Sequence, residues 1–134
     1  MIALDSSVVI ASFGAWHEHH TPARGALRDA PSIAAHVALE AYSVLTRLPN
    51  PYRARPAIVI EFLARTFPGP RLALDLDGQT GLPERLAGLG VVGGAAHDGL
   101  IALTARAAGA TLLTLDRRAA ATYRRCEVET RLLA

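Results

Sequence analysis

The chain has 134 residues, 51% of them hydrophobic and 19% charged. That balance fits one folded domain with a substantial core and excludes a disordered chain. The formal charge is +2, and all 14 cations are arginine, which excludes chemistry that needs a lysine, such as a P-loop or a Schiff base.

In chain order, residues 2–4 (IAL) read as a short strand stopping at Asp5. SSVVIASF follows as a helix, with Ser6 or Ser7 as its cap and Gly14 as its stop. WHEHH (16–20) reads as a loop, and a second helix is expected from about Pro22. A stronger helix spans about 35–48, with an apolar stripe of Val37, Ala41, Val44 and Leu48, and Pro49 and Pro51 end it. Another helix covers about 54–66 until PGP breaks it. RLAL (71–74) is a strand candidate, and LPERLAGLG a short helix. A further helix runs from about 97 to 108, with Gly109 as its stop. TLLTLD (111–116) reads as a buried strand, RRAAATYR as a short helix and CEVE as a last strand. Short apolar strands alternating with helices predict an α/β fold with a parallel sheet covered on both faces. With no linker or repeat, residues 1–134 are expected to form a single domain.

No apolar run is long enough to span a membrane. The opening MIALDSS lacks the basic segment of a signal peptide. The one cysteine, Cys126, has no internal disulfide partner. A cytoplasmic location is therefore expected.

Four carboxylates sit where acids are unusual. Asp5 and Asp116 each end an apolar strand, and in a parallel sheet those ends share the carboxyl edge, where open α/β proteins place their sites. Glu40 lies on or beside the apolar stripe of its helix, and Asp98 heads the apolar face of Ile101, Ala102 and Ala105. Each has a plain alternative. Asp5, Asp98 and Asp116 could each cap a helix, and Glu40 could pair with Arg47. Taken together they point elsewhere. Like charges about 4 Å apart repel by roughly 4 kcal/mol at an effective dielectric of about 20, so a gathered set needs a cation. Carboxylate-only sites suit hard ions such as Mg²⁺ or Mn²⁺. The implied chemistry is metal-assisted phosphodiester hydrolysis.

These residues resemble those of PIN-domain ribonucleases, and nearly the whole chain is similar to toxins of the VapBC toxin–antitoxin type. MIALDSSVVIASF matches the opening strand and its Asp-Ser/Thr-Ser pattern, LEAYSVLTRL the glutamate helix, and HDGLIALTARAAGATLLTLDRR the long last block. The resemblance implies a three-layer α/β/α sandwich around a central parallel sheet and Mg²⁺-dependent endonuclease activity on RNA, with Mn²⁺ as an alternative ion. It implies Asp5, Glu40, Asp98 and Asp116 as the acidic site, with Asp5 and Asp98 as direct ligands and Glu40 and Asp116 acting directly or through water. Ser6 and Thr114 would hydrogen-bond the site from its margin. A small antitoxin protein and a second copy of the chain are the implied protein partners. One departure is Gly99, which follows Asp98 where the family usually carries a better helix former. The alternative is a PIN-like module that binds RNA or protein without cleaving it.

Other residues compete for attention. His17, His19 and His20 are one to three residues apart and lack a convincing tetrahedral partner, so WHEHH is expected to be an exposed loop or helix start. His97 is either a helix-start residue or a group that orients water or phosphate. Arg117 and Arg118 follow Asp116 directly and are candidates for RNA-phosphate contacts, against a solvated helix face. LDLDGQT (74–80) imitates the nucleophile loop of haloacid-dehalogenase-type phosphatases, but no lysine completes that site, and a surface turn at Asp77-Gly78 is expected.

Overall fold

A computed structural model describes residues 1–134. Its centre is a parallel sheet of four short strands in the order β2-β1-β3-β4: β1 (Ile2–Leu4), β2 (Ser32–Ile33), β3 (Thr111–Thr114) and β4 (Thr130–Leu132). In register, Leu4 pairs with Ile33 on one side and Leu113 on the other. The middle strands read as continuous apolar runs because both of their faces are covered, and Leu4, Leu112 and Leu113 are fully buried.

Helices complete a three-layer α/β/α sandwich. On the early half of the chain α1 (Ser6–Phe13) packs on α2 (His20–Ala26) and on α3 (Ala35–Leu45), and α3 packs on α4 (Pro56–Thr66). Short helices α5 (Leu76–Thr80) and α6 (Leu82–Gly88) lead to α7 (Ala95–Ala107), which packs against β3 and α8 (Ala120–Arg125). No helix is long and apolar enough to cross a membrane.

Several boundaries differ from the sequence reading, each for a local reason. Asp5, not Ser6 or Ser7, caps α1 through the amide of Val8; both serine hydroxyls point at acids instead. Helix α3 stops at Leu45, where the Thr46 hydroxyl folds back on the Tyr42 carbonyl. Residues 71–74 form no strand. Leu72 makes a single bridge with Ala34, exchanging hydrogen bonds with Ile33 and Ala35. The last strand is Thr130–Leu132 and not CEVE, because Glu127 turns the chain with φ of +56° and Val128 is buried before pairing begins. The two-residue β2 was not expected, being too short to show a period.

Helix α7 begins two residues early, at Ala95, so Asp98 sits inside its first turn and caps nothing. The unusual Gly99 has a packing cause. A Cβ there would come within 2.6 Å of Leu86 Cδ2 and 3.2 Å of Val91 Cγ1, so glycine lets α6 lie close against the start of α7.

Candidate active site

The carboxyl edge of the sheet carries the candidate site. Strand β1 ends at Leu4, so Asp5 leaves the sheet there, and its amide still donates to the Leu113 carbonyl at 3.1 Å. This aspartate is only 2% exposed. Burial pushes its carboxyl above the usual range, and several donors oppose that shift. Ser7 Oγ donates to Oδ1, Tyr123 Oη donates to Oδ2 at 2.7 Å, and the Val8 amide reaches Oδ1. The nearby Thr114 hydroxyl acts in the same direction.

Two of these hydroxyls tie β1 to the end of β3. Ser7 Oγ accepts from the Leu115 amide at 2.9 Å, and Thr114 Oγ1 accepts from the Asp116 amide at 3.0 Å. A hydroxyl whose lone pair is occupied by an amide directs its one proton elsewhere, here toward Asp5. The threonine two residues before the last acid therefore holds that acid's own backbone, while Ser7 bridges the two strand tips. No buried side-chain nitrogen or oxygen lacks a partner.

The other three acids come to the same edge. Asp98, half-buried on α7, has its carboxyl pushed up to about 6, first by burial and then by the charges of Glu40, Asp116 and Asp5, with His97 drawing it back. Glu40, Asp116 and Asp5, from α3, the end of β3 and the end of β1, thus lie close enough to Asp98 on α7 for their charges to act on it. Asp116 also caps the following 3-10 turn, accepting from the Arg118 amide at 2.9 Å, so the capping reading holds alongside its place in the cluster. Glu40 Oε1 accepts from Ser6 Oγ at 3.0 Å. Arg47 does not pair with it, donating to Ser43 Oγ at 3.0 Å instead.

Of the candidate RNA contacts, Arg118 is 96% exposed, with its Nε 3.7 Å from Asp116. Arg117 donates to the Ala134 carbonyl at 3.0 Å. WHEHH lies at the opposite end of α1 from Asp5. There the His19 amide donates to His17 Nδ1 at 3.0 Å, and His20 Nδ1 contacts the Ala11 carbonyl at 2.8 Å. The three rings point at different partners and form no common donor set. LDLDGQT forms the short α5, capped by Asp75 through the Gly78 amide at 2.7 Å.

Sequence reasoning missed Ser7, Tyr123 and His36. Ser7 had a signal, since two serines follow Asp5 and only one can point to each side of a helix start. Tyr123 gave none; it reaches Asp5 across 118 residues and is buried to 1% exposure. His36 sits four residues before Glu40, one turn away on α3, with its Nε2 3.6 Å from Glu40 Oε2.

The chain matches known proteins over almost its whole length. A family model described as PIN domain matches residues 2–125. The chain is 49% identical over 133 residues to Ribonuclease VapC40 of two Mycobacterium tuberculosis strains, covering 99% of each chain. It is 38% identical over 129 residues to Ribonuclease VapC27 of the same species, covering 95% of this chain and 93% of the relative.

Proposed function

The chain belongs to the PIN-domain family, as a relative of VapC ribonucleases, and from that premise we propose that it is an endoribonuclease acting as the toxin of a toxin–antitoxin pair. It hydrolyses RNA phosphodiester bonds at the cleft formed by Asp5, Glu40, Asp98 and Asp116. The observation that carries this reading is the placement of Asp5, Glu40 and Asp116, from three separate elements, close enough to Asp98 for their charges to add to the effect of its burial.

The donor set fits a hard divalent cation. It offers carboxylate oxygens and no thiol, and its mutual repulsion is relieved by positive charge. Mg²⁺ is the ion proposed, with Mn²⁺ as a substitute. Asp5 and Asp98 would hold it directly, and Glu40 and Asp116 directly or through water. When bound, the ion supplies a water of lowered pKa and neutralises charge that develops on the phosphate.

The chain's own residues do the rest. Ser7, Thr114 and Tyr123 keep Asp5 in one orientation, so no reorganisation is needed when substrate arrives. Ser6 does the same for one oxygen of Glu40. Arg118, exposed at the rim, and Arg117 beside it offer guanidinium forks to RNA phosphates on either side of the cut. A cognate small antitoxin protein covers the cleft. A second copy of the chain is the other proposed partner, consistent with exposed apolar side chains such as Leu39 and Leu76. An RNA substrate and a lone buried cysteine suit the cytoplasm.

The test is cleavage of a structured RNA by the purified chain. Cleavage is expected with Mg²⁺, and EDTA or Asp98→Asn is expected to stop it. Cleavage that survives both treatments would remove the proposal.

A further inference from the structure

We infer that His36, Glu40 and His97 form a binding site for a divalent transition-metal ion of the Zn²⁺ class, beside the acidic cleft and chemically distinct from it. Two elements build the site. His36 and Glu40 stand one turn apart on α3, and His97 stands in the first turn of α7. His36 Nε2 lies 3.1 Å from His97 Nδ1 and 3.6 Å from Glu40 Oε2, and the three donor atoms all lie within 4.8 Å of one another.

These separations suit an ion. Tetrahedral bonds of about 2.0–2.1 Å place neighbouring ligand atoms about 3.3 Å apart. The two imidazole nitrogens face each other at 3.1 Å, and the rings lie nearly parallel, at 7°. A cation just off the line between them uses both lone pairs and the adjacent carboxylate together. Imidazole with one carboxylate favours Zn²⁺ and its neighbours over Mg²⁺, whereas the all-carboxylate cluster does the reverse.

The surroundings support the ligands. Ser6 holds Glu40 Oε1, which leaves Oε2 on the side of the rings. The His36 and Glu40 side chains are only 20% and 27% exposed. The trio borders a cleft of about 290 Å³ walled further by Ser43 and Arg47. That space leaves a fourth position for water or an anionic oxygen, as in zinc sites with three protein ligands.

Glu40 belongs to both clusters, so the two ions compete for it. If the nuclease reading is correct, Zn²⁺ lowers Mg²⁺-dependent cleavage, and replacing either histidine relieves that inhibition. Binding itself does not depend on that reading.

The experiment is a Zn²⁺ titration of the purified full chain by calorimetry, with the visible spectrum of its Co²⁺ complex, without RNA. Wild type is expected to bind with the intense bands of tetrahedral Co²⁺. His36→Ala and His97→Ala are each expected to weaken Zn²⁺ binding about tenfold or more. Asp98→Asn is expected to retain it. His97 is exposed, so its replacement keeps the fold, and a matching circular dichroism melt verifies this. No uptake of Zn²⁺, a six-coordinate Co²⁺ spectrum, or unchanged affinity in both histidine variants would each overturn the site. Failure of Mg²⁺-dependent RNA cleavage with the Zn²⁺ titration intact would count against the nuclease reading alone.

Discussion

Asp5 and Asp98 are both aspartates raised by burial at one edge of the sheet, yet the chain surrounds them differently. Asp5 is enclosed by donors from Ser7, Val8 and Tyr123, which oppose the effect of its burial. For Asp98, burial is compounded by Glu40, Asp116 and Asp5, with only His97 in opposition. The first is fastened by the fold before any ion arrives. The second is a charge the fold leaves in need of one. Preorganisation and unrelieved repulsion are thus divided between two ligands of a single site. Loss of either is expected to stop the chemistry, but the two should affect stability in opposite directions.

The largest expected effect is on activity. Asp5→Asn and Asp98→Asn should each reduce RNA cleavage by about 10²–10³-fold or more, the scale of losing one preorganised charge at a reacting centre. Single-turnover assays at saturating Mg²⁺ measure this. Equal losses sharpen the pairing, and a small loss for either breaks it.

Stability then separates the two. Asp5→Asn places an amide against hydroxyls arranged to donate, which should cost about 1–3 kcal/mol and lower Tm by several degrees. Asp98→Asn removes repulsion and should raise Tm of the metal-free protein. Thermal melts in EDTA decide between these signs.

The pH dependence follows from Asp98. Its carboxyl titrates near 6 in the folded chain against 3.8 as the ordinary value, so the folded state binds more protons between those limits. Metal-free stability from this group should therefore fall as pH rises from about 4 to about 6, then level off. Asp98→Asn should lack that component. Mg²⁺ should restore stability at pH 7.5 and do less at pH 5.

The smallest effect belongs to the support of Asp5. Tyr123→Phe removes one donor to Oδ2 while keeping the ring. It should cost about 1 kcal/mol and move the acidic limb of the pH–rate profile upward. An unchanged profile would mean that Tyr123 only fills space.

Much of this was legible in the sequence, and what was not has physical causes. The long helices and the two central strands were visible because each has a period or an apolar run tied to burial. The edge strands were not. β2 is only two residues long, and β4 is exposed along its length, so neither leaves a hydrophobic pattern. The four acids stood out because an acid beside an apolar face needs a reason. Of the supporting hydroxyls, Ser6 and Thr114 were expected, while Tyr123 was hidden, since a tyrosine in an apolar helix looks like any core residue. The histidines carry the same lesson. Three within WHEHH share no ligand point, whereas His36 and His97, sixty-one residues apart, place their nitrogens 3.1 Å from each other. Proximity along the chain does not control the direction of donor atoms.

The central claim is that the four carboxylates jointly hold one catalytic cation position. Anomalous diffraction from Mn²⁺-soaked crystals tests it most directly. A peak within bonding distance of the Asp5 and Asp98 carboxylates, with Glu40 and Asp116 bound directly or through water, is the predicted result. A cleft without a peak at Mn²⁺ concentrations that support RNA cleavage, or an ion there that touches neither Asp5 nor Asp98, would contradict it.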